Sequence, residues 1–343
     1  MRILAVGDSY MPVRYFRDAF AGLETAHEVV YMEVDVTSRF EPSTASELKL
    51  TEYLGSPRTL ADWMSGVEVL VVQGAPVTAE VVQAGSELRL IGCARGGPVN
   101  IDTEAVEAHG LPLVNTPGKN ATAVADLTIA FLVMLARRIP SAMRFLVEGH
   151  QLKDVWDGTQ FMGIDLAGHT LGLVGYGKVG QQVAQRALAF GMEVVVYDPY
   201  VQTEDANQVD TLPELLSRSD FVSLHARATA TNAHLIDAAA IAAMRRGAFL
   251  INTARPSLID EAALDAALAR EQLAGAALDV CEPTSPGVPS QLSRHANVVI
   301  TPHIGGATRE TLQRGADMLA EEIRRFAASE PLINLVGKIS AGA

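Results

Sequence analysis

The sequence predicts an α/β protein with two doubly wound parallel-sheet domains. Short apolar runs recur along the chain, segments with helical spacing separate them, and the second half repeats the alternation of the first. The predicted strands of the first block are residues 3–6, 29–32, 67–72, 88–91 and 113–114. Those of the second block are residues 170–174, 193–197, 221–224, 248–252, 275–280 and 298–301, and six such strands fit a doubly wound sheet.

A long apolar stretch lies between the two blocks. Residues 121–147 are too densely apolar and too long for a strand, and Ala, Leu and Met occur throughout. We therefore expect one long helix, interrupted or kinked at Pro140. Its length makes it a natural connection between domains.

Composition limits the possible partners. The chain has 343 residues, of which 48% are hydrophobic and 20% charged, as in folded globular proteins. A formal charge of −13 disfavours nucleic acid and anionic membranes as partners. Cys93 and Cys281 are far apart, so we expect neither a disulfide framework nor a metal site. The N-terminus has no export signal and no apolar stretch is long enough to span a membrane, so a cytoplasmic location is expected.

A glycine-rich turn begins the second block. Gly175, Gly177 and Gly180 have the GxGxxG spacing, follow an apolar strand and begin a helix. The amides at the start of that helix favour an anion, so we expect a dinucleotide pyrophosphate to bind there. The cofactor-binding segment is predicted to consist of Gly175, Tyr176, Gly177, Lys178, Val179 and Gly180. A purely structural turn, with glycines for packing, is the alternative.

Asp198 indicates which dinucleotide binds. It ends the next predicted strand and stands 18 residues beyond Gly180, close to the spacing of a ribose-binding acid. A carboxylate there accepts a hydrogen bond from a free 2′-hydroxyl and repels a 2′-phosphate. The sequence therefore favours NAD over NADP.

Several motifs occur in one order along nearly the whole chain. They are Arg95-Gly-Gly-Pro-Val-Asn-Ile-Asp102, Asn115-Thr-Pro-Gly-Lys-Asn120, Leu135-Ala-Arg-Arg-Ile-Pro140, Leu166-Ala-Gly-His-Thr-Leu-Gly172, Asn252-Thr-Ala-Arg255, Leu278-Asp-Val280 and Thr301-Pro-His-Ile-Gly-Gly306. In these motifs the chain resembles the D-isomer-specific 2-hydroxyacid dehydrogenases, in particular their phosphoglycerate dehydrogenase branch. The resemblance implies a Rossmann NAD domain, residues 118–307, inserted into a flavodoxin-like substrate domain, residues 1–117 plus 308–343.

The resemblance also implies the catalytic groups. Arg255 matches an arginine that holds the carboxylate and carbonyl of a 2-oxo acid, and His303 matches the proton donor and acceptor. A guanidinium fork orients a carboxylate, and an imidazolium can protonate the oxygen that hydride transfer leaves negative. Each residue follows a predicted parallel strand, where sites form in open α/β sheets. Taken singly, a surface arginine and a packed histidine are the alternatives.

The expected carboxylate partner of the histidine departs from the family pattern. The family glutamate stands five residues after the aspartate that matches Asp279, and Thr284 occupies that position here. Glu282, followed by Pro283, is its counterpart if the loop is two residues shorter. A solvated loop acid is the alternative.

Further residues are implied in binding. The substrate-binding residues are predicted to be Arg95, Gly96, Gly97, Asn120 and Arg255. Outside the glycine turn, the cofactor-binding residues are predicted to be Asp198, His225, Thr253, Asp279 and His303, with Asp279 at the nicotinamide carboxamide. A plain turn is the alternative for residues 95–97 and for Asn120, and a strand-end acid that caps a loop is the alternative for Asp279.

The substrate is expected to be a polar, non-phosphorylated 2-oxo acid. In the phosphoglycerate dehydrogenase branch, arginines reach the substrate phosphate from positions that align with Gln73 and Cys93, and neither residue is cationic. Arg95 is an added cation that could bind a distal carboxylate or hydroxyl groups. The predicted function is NAD-dependent interconversion of a 2-hydroxy acid and its 2-oxo acid. The alternatives are 3-phosphoglycerate dehydrogenase proper and an NAD(H)-sensing, corepressor-like binding protein.

The family resemblance and one apolar helix together predict a homodimer. Members of the family usually pair through the cofactor domain, and residues 121–135 are more hydrophobic than an exposed helix face requires.

Overall fold

The computed structural model describes residues 1–35, 37, 40–204, 206–229, 231–282 and 290–337. The chain divides into two compact units, Met1–Lys119 together with the segment from Thr308 onward, and Asn120–Ala307. We refer to them as unit 1 and unit 2. The first division lies two residues beyond the predicted 117/118 boundary.

The described residues form parallel strands that alternate with helices. The strands are β1 (Arg2–Gly7), β2 (Glu28–Glu33), β3 (Val69–Val72), β4 (Leu90–Cys93), β5 (Leu113–Val114), β6 (Thr170–Val174), β7 (Glu193–Tyr197), β8 (Asn207–Gln208), β9 (Phe221–Leu224), β10 (Ala248–Asn252), β11 (Leu273–Leu278) and β12 (Val298–Ile300). The helices are α1 (Arg14–Phe20), α2 (Pro57–Ala61), α3 (Ala79–Ala84), α4 (Thr103–Ala108), α5 (Ala121–Ala136), α6 (Ile139–Val147), α7 (Lys178–Ala189), α8 (Leu212–Arg218), α9 (Ala238–Ala243), α10 (Glu261–Ala269) and α11 (Arg309–Ala327).

Unit 1 contains a parallel sheet with the strand order β2-β1-β3-β4-β5. In its register Ile3 lies opposite Val29 on one side and Val69 on the other. Strands β3 and β4 are buried throughout, as expected for a sheet with helices on both faces. On one face α1 and α11 contribute Phe16 and Leu319 to the core. The strand order is that of a flavodoxin-like fold.

Unit 2 contains a second parallel sheet, with the strand order β12-β11-β10-β9-β6-β7-β8. Helices α5 and α7 cover one face with an apolar core that includes Phe131 and Val183. Helices α8, α9 and α10 cover the other face, where Leu215 and Leu264 are buried. The chain order reverses between β6 and β9, which makes the carboxyl ends of these strands a topological switch point. The predicted fold class, two doubly wound parallel-sheet domains, is confirmed.

Two local predictions about unit 2 were wrong in detail. The interruption expected at Pro140 lies two to three residues earlier, at Arg137 and Arg138 between α5 and α6, and Arg138 has left-handed backbone geometry with φ of 51°. Pro140 lies in the first turn of α6, where the N–H that proline lacks would have no partner within the helix. Strand β8 was missed because it is only two polar residues long.

The apolar character of α5 has an explanation inside unit 2. Ten of its residues are buried, including Phe131 and Leu132, which have 1% and 0% exposure. Because its own unit covers this helix, its hydrophobicity does not indicate an exposed dimer face. Burial within unit 2 accounts for most of its apolar residues, and the homodimer stays a prediction.

Two kinds of feature are absent from the described residues. No helix among them combines the length and the apolar character needed to cross a membrane. Within the same residues, no three or more His, Cys, Asp or Glu side chains are grouped so that they could hold a metal ion.

Candidate active site

The three glycines of the turn between β6 and α7 have different physical roles. Gly175 has φ of +98°, and a Cβ there would lie 2.7 Å from the carbonyl carbon of His225. A Cβ on Gly180 would lie 2.3 Å from the carbonyl oxygen of Gly175. A Cβ on Gly177 would meet nothing within 4 Å, and this residue is exposed at the start of α7. Gly175 and Gly180 therefore permit the turn, whereas Gly177 leaves its outer side open.

Asp198 follows β7 and is fixed against the same turn. The backbone N–H of Tyr176 donates to its Oδ2 at 2.8 Å, and the N–H groups of Tyr200 and Val201 donate to its Oδ1 at 2.9 and 3.1 Å. The carboxylate thus stands beside the turn with a defined orientation. Open space over Gly177, the amides at the start of a 12-residue helix and this acid fit the pyrophosphate and ribose of a dinucleotide.

The remaining residues of the turn differ in exposure. Tyr176 is buried, Val179 is partly buried and Lys178 is exposed. Lys178 and the backbone around Gly177 are therefore the parts of the turn most open to solvent, where a ligand could reach them.

Four predicted site residues lie after four strands of unit 2. His225 follows β9, Arg255 follows β10, Asp279 follows β11 and His303 follows β12. These strands are successive neighbours, and β9 also pairs with β6, which leads into Gly175. Since all of them are parallel, their carboxyl ends meet at one edge of the sheet. The structure therefore brings these residues and the glycine turn to the same edge.

The loop that carries Arg255 is held by Asn252. This buried side chain accepts from the N–H of Ala254 at 2.9 Å and donates to the carbonyl oxygen of Arg255 at 2.8 Å. The Arg255 side chain is exposed, and its Nη1 donates to the carbonyl oxygen of Ala254 at 2.8 Å. Sequence reasoning did not assign Asn252 a role, although its place at the end of β10 in the Asn-Thr-Ala-Arg motif was a usable signal.

Thr253, predicted to bind the cofactor, lies in the same loop. It is 9% exposed, and its Oγ1 is 3.3 Å from Oγ1 of Thr128 on α5. Its hydroxyl is therefore already engaged inside unit 2.

Asp279 fixes the loop that carries His303. Its side chain is 2% exposed, and its carboxylate accepts from Oγ1 of Thr301 at 2.5 Å and from the N–H groups of Ile304 and Gly305 at 2.8 and 2.7 Å. The N–H of His303 donates to the carbonyl oxygen of Asp279 at 3.0 Å. His303 itself is exposed and has φ of 57°. The strand-end acid therefore acts here as a loop clamp.

Asn120 adjoins the same loop. A Cβ on Gly306 would lie 3.1 Å from Nδ2 of Asn120, so the amide packs directly against the backbone of this glycine. The structure thus places Asn120 beside the His303 loop within unit 2.

Glu282 is exposed and lies next to another acid. Its N–H donates to Oε1 of Glu261 at 2.6 Å, and the pKa of Glu261 is raised by burial and by the charge of Glu282. Within the described residues, Glu282 makes no hydrogen bond or ion pair with His303. Thr284 and Pro283 lie outside the described residues. The role of Glu282 as the partner of the histidine stays a prediction.

His225 is held as a neutral side chain. Its Nε2 lies 2.9 Å from Oγ of Ser223, and burial lowers the pKa of its imidazole to about 4. At neutral pH this residue therefore offers hydrogen bonding and packing at the switch point, but no positive charge.

Residues 95–97, which are predicted to bind the substrate and are called the substrate loop below, belong to unit 1. The loop follows β4, and Nδ2 of Asn115 donates to the carbonyl oxygen of Gly96 at 2.9 Å. Added Cβ atoms on Gly96 and Gly97 would meet nothing within 4 Å, so a ligand can approach this backbone closely. Arg95 forms an ion pair with Glu52, a residue that sequence reasoning did not single out.

Buried polar groups lie behind this loop. Nζ of Lys119 donates to the carbonyl oxygen of Ala94 at 2.6 Å, and burial lowers the pKa of this lysine to about 8. Asp8 accepts from the N–H of Gly74 at 2.9 Å, and burial raises its pKa. The start of the loop is thus fixed by a buried lysine.

The fold and these strand-end residues define a dinucleotide-binding α/β protein. Residues 129–305 match the family model described as D-isomer specific 2-hydroxyacid dehydrogenase, NAD binding domain. The chain is 40% identical over 262 residues to hydroxypyruvate reductase of Thermotoga maritima, covering 75% of this chain and 84% of that protein. It is 37% identical over 310 residues to D-3-phosphoglycerate dehydrogenase of Methanocaldococcus jannaschii, covering 86% of this chain.

A solved structure shows the same likeness over nearly the whole chain. The TT0316 protein from Thermus thermophilus has a TM-score of 0.78 and 36% identity, with 98% of this chain and 100% of that chain covered. The chain spans 58% of the length of the Methanocaldococcus protein and 46% of a Synechocystis phosphoglycerate dehydrogenase that it also matches.

The chain belongs to the D-isomer specific 2-hydroxyacid dehydrogenase family. The resemblance stated from the motifs is confirmed, and so is NAD as the cofactor, because the matched model is the NAD-binding domain of that family. The residue roles predicted above stay predictions.

Substitutions in the glycine turn can separate an effect on cofactor affinity from an effect on folding. We expect Gly177→Ala to leave the unfolding free energy within about 0.5 kcal/mol of the wild type, because the added methyl group meets no protein atom. We expect the same methyl group to weaken NADH binding at least about tenfold, since it occupies the side from which a pyrophosphate approaches. Gly180→Ala is the control, and it should destabilise the fold itself. Unchanged NADH affinity in Gly177→Ala, measured by fluorescence titration, would contradict this role.

A substitution of Asp279 tests whether its carboxylate stabilises the His303 loop. Asp279→Asn places an amide donor where the carboxylate accepts two N–H groups, so we expect a loss of about 2 kcal/mol in unfolding free energy. Thr301→Val removes only the hydroxyl donor and should cost less. Chemical denaturation measures both variants, and equal losses would show that Asp279 does not clamp the loop.

Proposed function

We propose that the protein is an NAD-dependent oxidoreductase that interconverts a 2-hydroxy acid and its 2-oxo acid. One observation carries the proposal: Arg255, Asp279 and His303 follow adjacent parallel strands, at the edge of the sheet that also carries the glycine turn. Family membership supports it, because the chain contains the family's NAD-binding domain.

The cofactor would lie along the carboxyl edge of unit 2. The amides around Gly177 would hold the pyrophosphate, and the fixed carboxylate of Asp198 would accept a hydrogen bond from the ribose. NAD, when bound, supplies the acceptor or donor of a hydride. Asp279, whose carboxylate already accepts three hydrogen bonds from the His303 loop, retains one lone pair, on Oδ2, for the nicotinamide carboxamide.

Arg255 and His303 would act on the substrate. The exposed guanidinium of Arg255 can donate two parallel hydrogen bonds to a carboxylate, and Asn252 holds its backbone in place. In reduction, an imidazole nitrogen of His303 would give its proton to the C2 oxygen of the 2-oxo acid as that oxygen becomes a hydroxyl group. In oxidation the same nitrogen would take the proton back.

The substrate loop of unit 1 supports a polar, non-phosphorylated acid. Arg95, Gly96 and Gly97 present accessible backbone and one cation. Gln73 and Cys93, which align with phosphate-binding arginines in the phosphoglycerate dehydrogenase branch, are 5% and 0% exposed. Neither residue is placed to neutralise a phosphate.

The proposal is tested by following the absorbance of NADH with glyoxylate, hydroxypyruvate, 2-oxoglutarate, 3-phosphohydroxypyruvate and sugar-derived 2-oxo acids. We expect turnover of at least one polar 2-oxo acid. His303→Gln should lower kcat about a hundredfold or more, because it removes the proton donor. Arg255→Gln should lower kcat/KM to a similar extent, mainly through KM. Both variants should still bind NADH.

The matched control is Arg218→Gln, which removes an exposed arginine from α8 that pairs with Glu214. Its rates should equal those of the wild type. Tight NADH binding without turnover of any acid would overturn the proposal in favour of an NAD(H)-sensing protein.

We also propose that the protein is a homodimer, on the basis of a surface other than α5. None of the residues of α6, all of which are described, is fully buried, and Leu146 and Val147 are 63% and 85% exposed. Nearby in sequence, Trp156 and Met162 are 75% and 70% exposed. Apolar side chains exposed in such number are typical of an interface.

The dimer is tested by light scattering. We expect twice the subunit mass for the wild type and the subunit mass for Leu146→Asp combined with Val147→Asp, because two buried charges would oppose association. Leu48→Asp, at an apolar residue of unit 1 that is 69% exposed, is the control and should remain dimeric. A monomeric wild type would exclude the proposal.

A further inference from the structure

A short segment of unit 1 is attached beside the substrate loop and at the end of β3. The N–H of Thr51 donates to the carbonyl oxygen of Val99 at 3.1 Å, and the N–H of Leu54 donates to the carbonyl oxygen of Gly74 at 2.8 Å. Glu52 lies between these two anchors and pairs with Arg95. The backbone of Glu52 is therefore fixed on both sides, and its carboxylate reaches Arg95 from there.

The ion pair is accessible from solvent. The side chain of Glu52 is 52% exposed and that of Arg95 is 21% exposed. Together they present hydrogen-bond acceptors and donors next to the open backbone of Gly96 and Gly97. Such a pair is suited to hydroxyl groups, which donate and accept at once.

Two cations contact the loop, and two acids face them. Arg95 and the buried Lys119 are the cations, and Glu52 and the buried Asp8 are the acids that face them. The polar side chains nearest in the strands, Gln73 and Cys93, are uncharged and withdrawn into the core, where burial raises the pKa of the Cys93 thiol to about 11. Among these described residues, no surplus of positive charge therefore remains for a second anionic group on the substrate.

We infer that Glu52 is a specificity-determining residue that, with Arg95, selects 2-oxo acids with an uncharged hydroxylated tail and rejects phosphorylated ones. The inference rests on the function proposed above and names the substrate class that the loop of unit 1 would accept. The carboxylate of Glu52 occupies the guanidinium that a phosphate would need, and it repels a phosphate that approaches. Neutral hydroxyl groups are not repelled by the charge of Glu52, and they donate hydrogen bonds to its carboxylate.

The test compares three substrates that share the 2-oxo acid head. They are hydroxypyruvate, 3-phosphohydroxypyruvate and a four-carbon 2-oxo acid with hydroxyl groups on C3 and C4. The wild type should have its highest kcat/KM with the four-carbon acid and should disfavour the phosphorylated acid at least about tenfold against hydroxypyruvate. A wild type that prefers the phosphorylated acid would overturn the inference, whatever the variants do.

Glu52→Gln should raise the ratio of kcat/KM for 3-phosphohydroxypyruvate over hydroxypyruvate about tenfold, because it removes the repulsion and frees Arg95. The gain should shrink at high salt, since the charges are partly exposed. The conservative Glu52→Asp should keep the ratio of the wild type. The matched control is Glu104→Gln, which removes an exposed glutamate of the same unit that pairs with Lys49, and its ratio should not change.

The outcomes separate the two proposals. Turnover of 2-oxo acids with the same substrate ratio in Glu52→Gln as in the wild type would refute the role of Glu52 and leave the dehydrogenase activity standing. Failure to reduce any of the acids would instead refute the function itself.

Discussion

Hydrogen bonds from strand-end side chains to the loop that follows are the interaction on which the candidate site depends. Asp198, Asn252 and Asp279 each end or follow a strand of unit 2, and each bonds the backbone of its own loop. Asp8 has the same place in unit 1, where it accepts from the N–H groups of Tyr10 and Met11. Because the parallel strands of each unit end at one edge of its sheet, these local bonds fix the loops at that edge within each unit.

The local hydrophobic pattern of the sequence was sufficient to predict most of the strands and helices. Strands β6 and β7 were predicted to the residue, because both are apolar runs with clear ends. The break between α5 and α6 was misplaced, since Pro140 shows that a helix boundary is near without showing on which side it falls. Apolar density in α5 correctly indicated burial, but it did not indicate what covers the helix. Which elements pack over a helix depends on the tertiary structure, and the local pattern of a single sequence does not show it.

The same division applies to the site. The glycine turn and Asp198 could be proposed together from the sequence because their spacing in the chain reflects their contact in the fold. The pair of Glu52 and Arg95 was missed, because 43 positions separate its members and neither belongs to a periodic pattern. Asn252 was visible inside a motif, yet its role became clear only from its two hydrogen bonds to the backbone. Pairings between distant side chains therefore need the fold before they can be recognised.

The left-handed backbone of His303 sets activity against stability. For a residue with a Cβ, a φ of 57° costs about 1 kcal/mol or more of conformational free energy, whereas glycine adopts this φ without that cost. Glycine at this position would relax the loop and at the same time remove the imidazole. A screen that selects only for thermal resistance would thus favour loss of the residue proposed to move the proton, so directed evolution of this protein has to select for turnover as well.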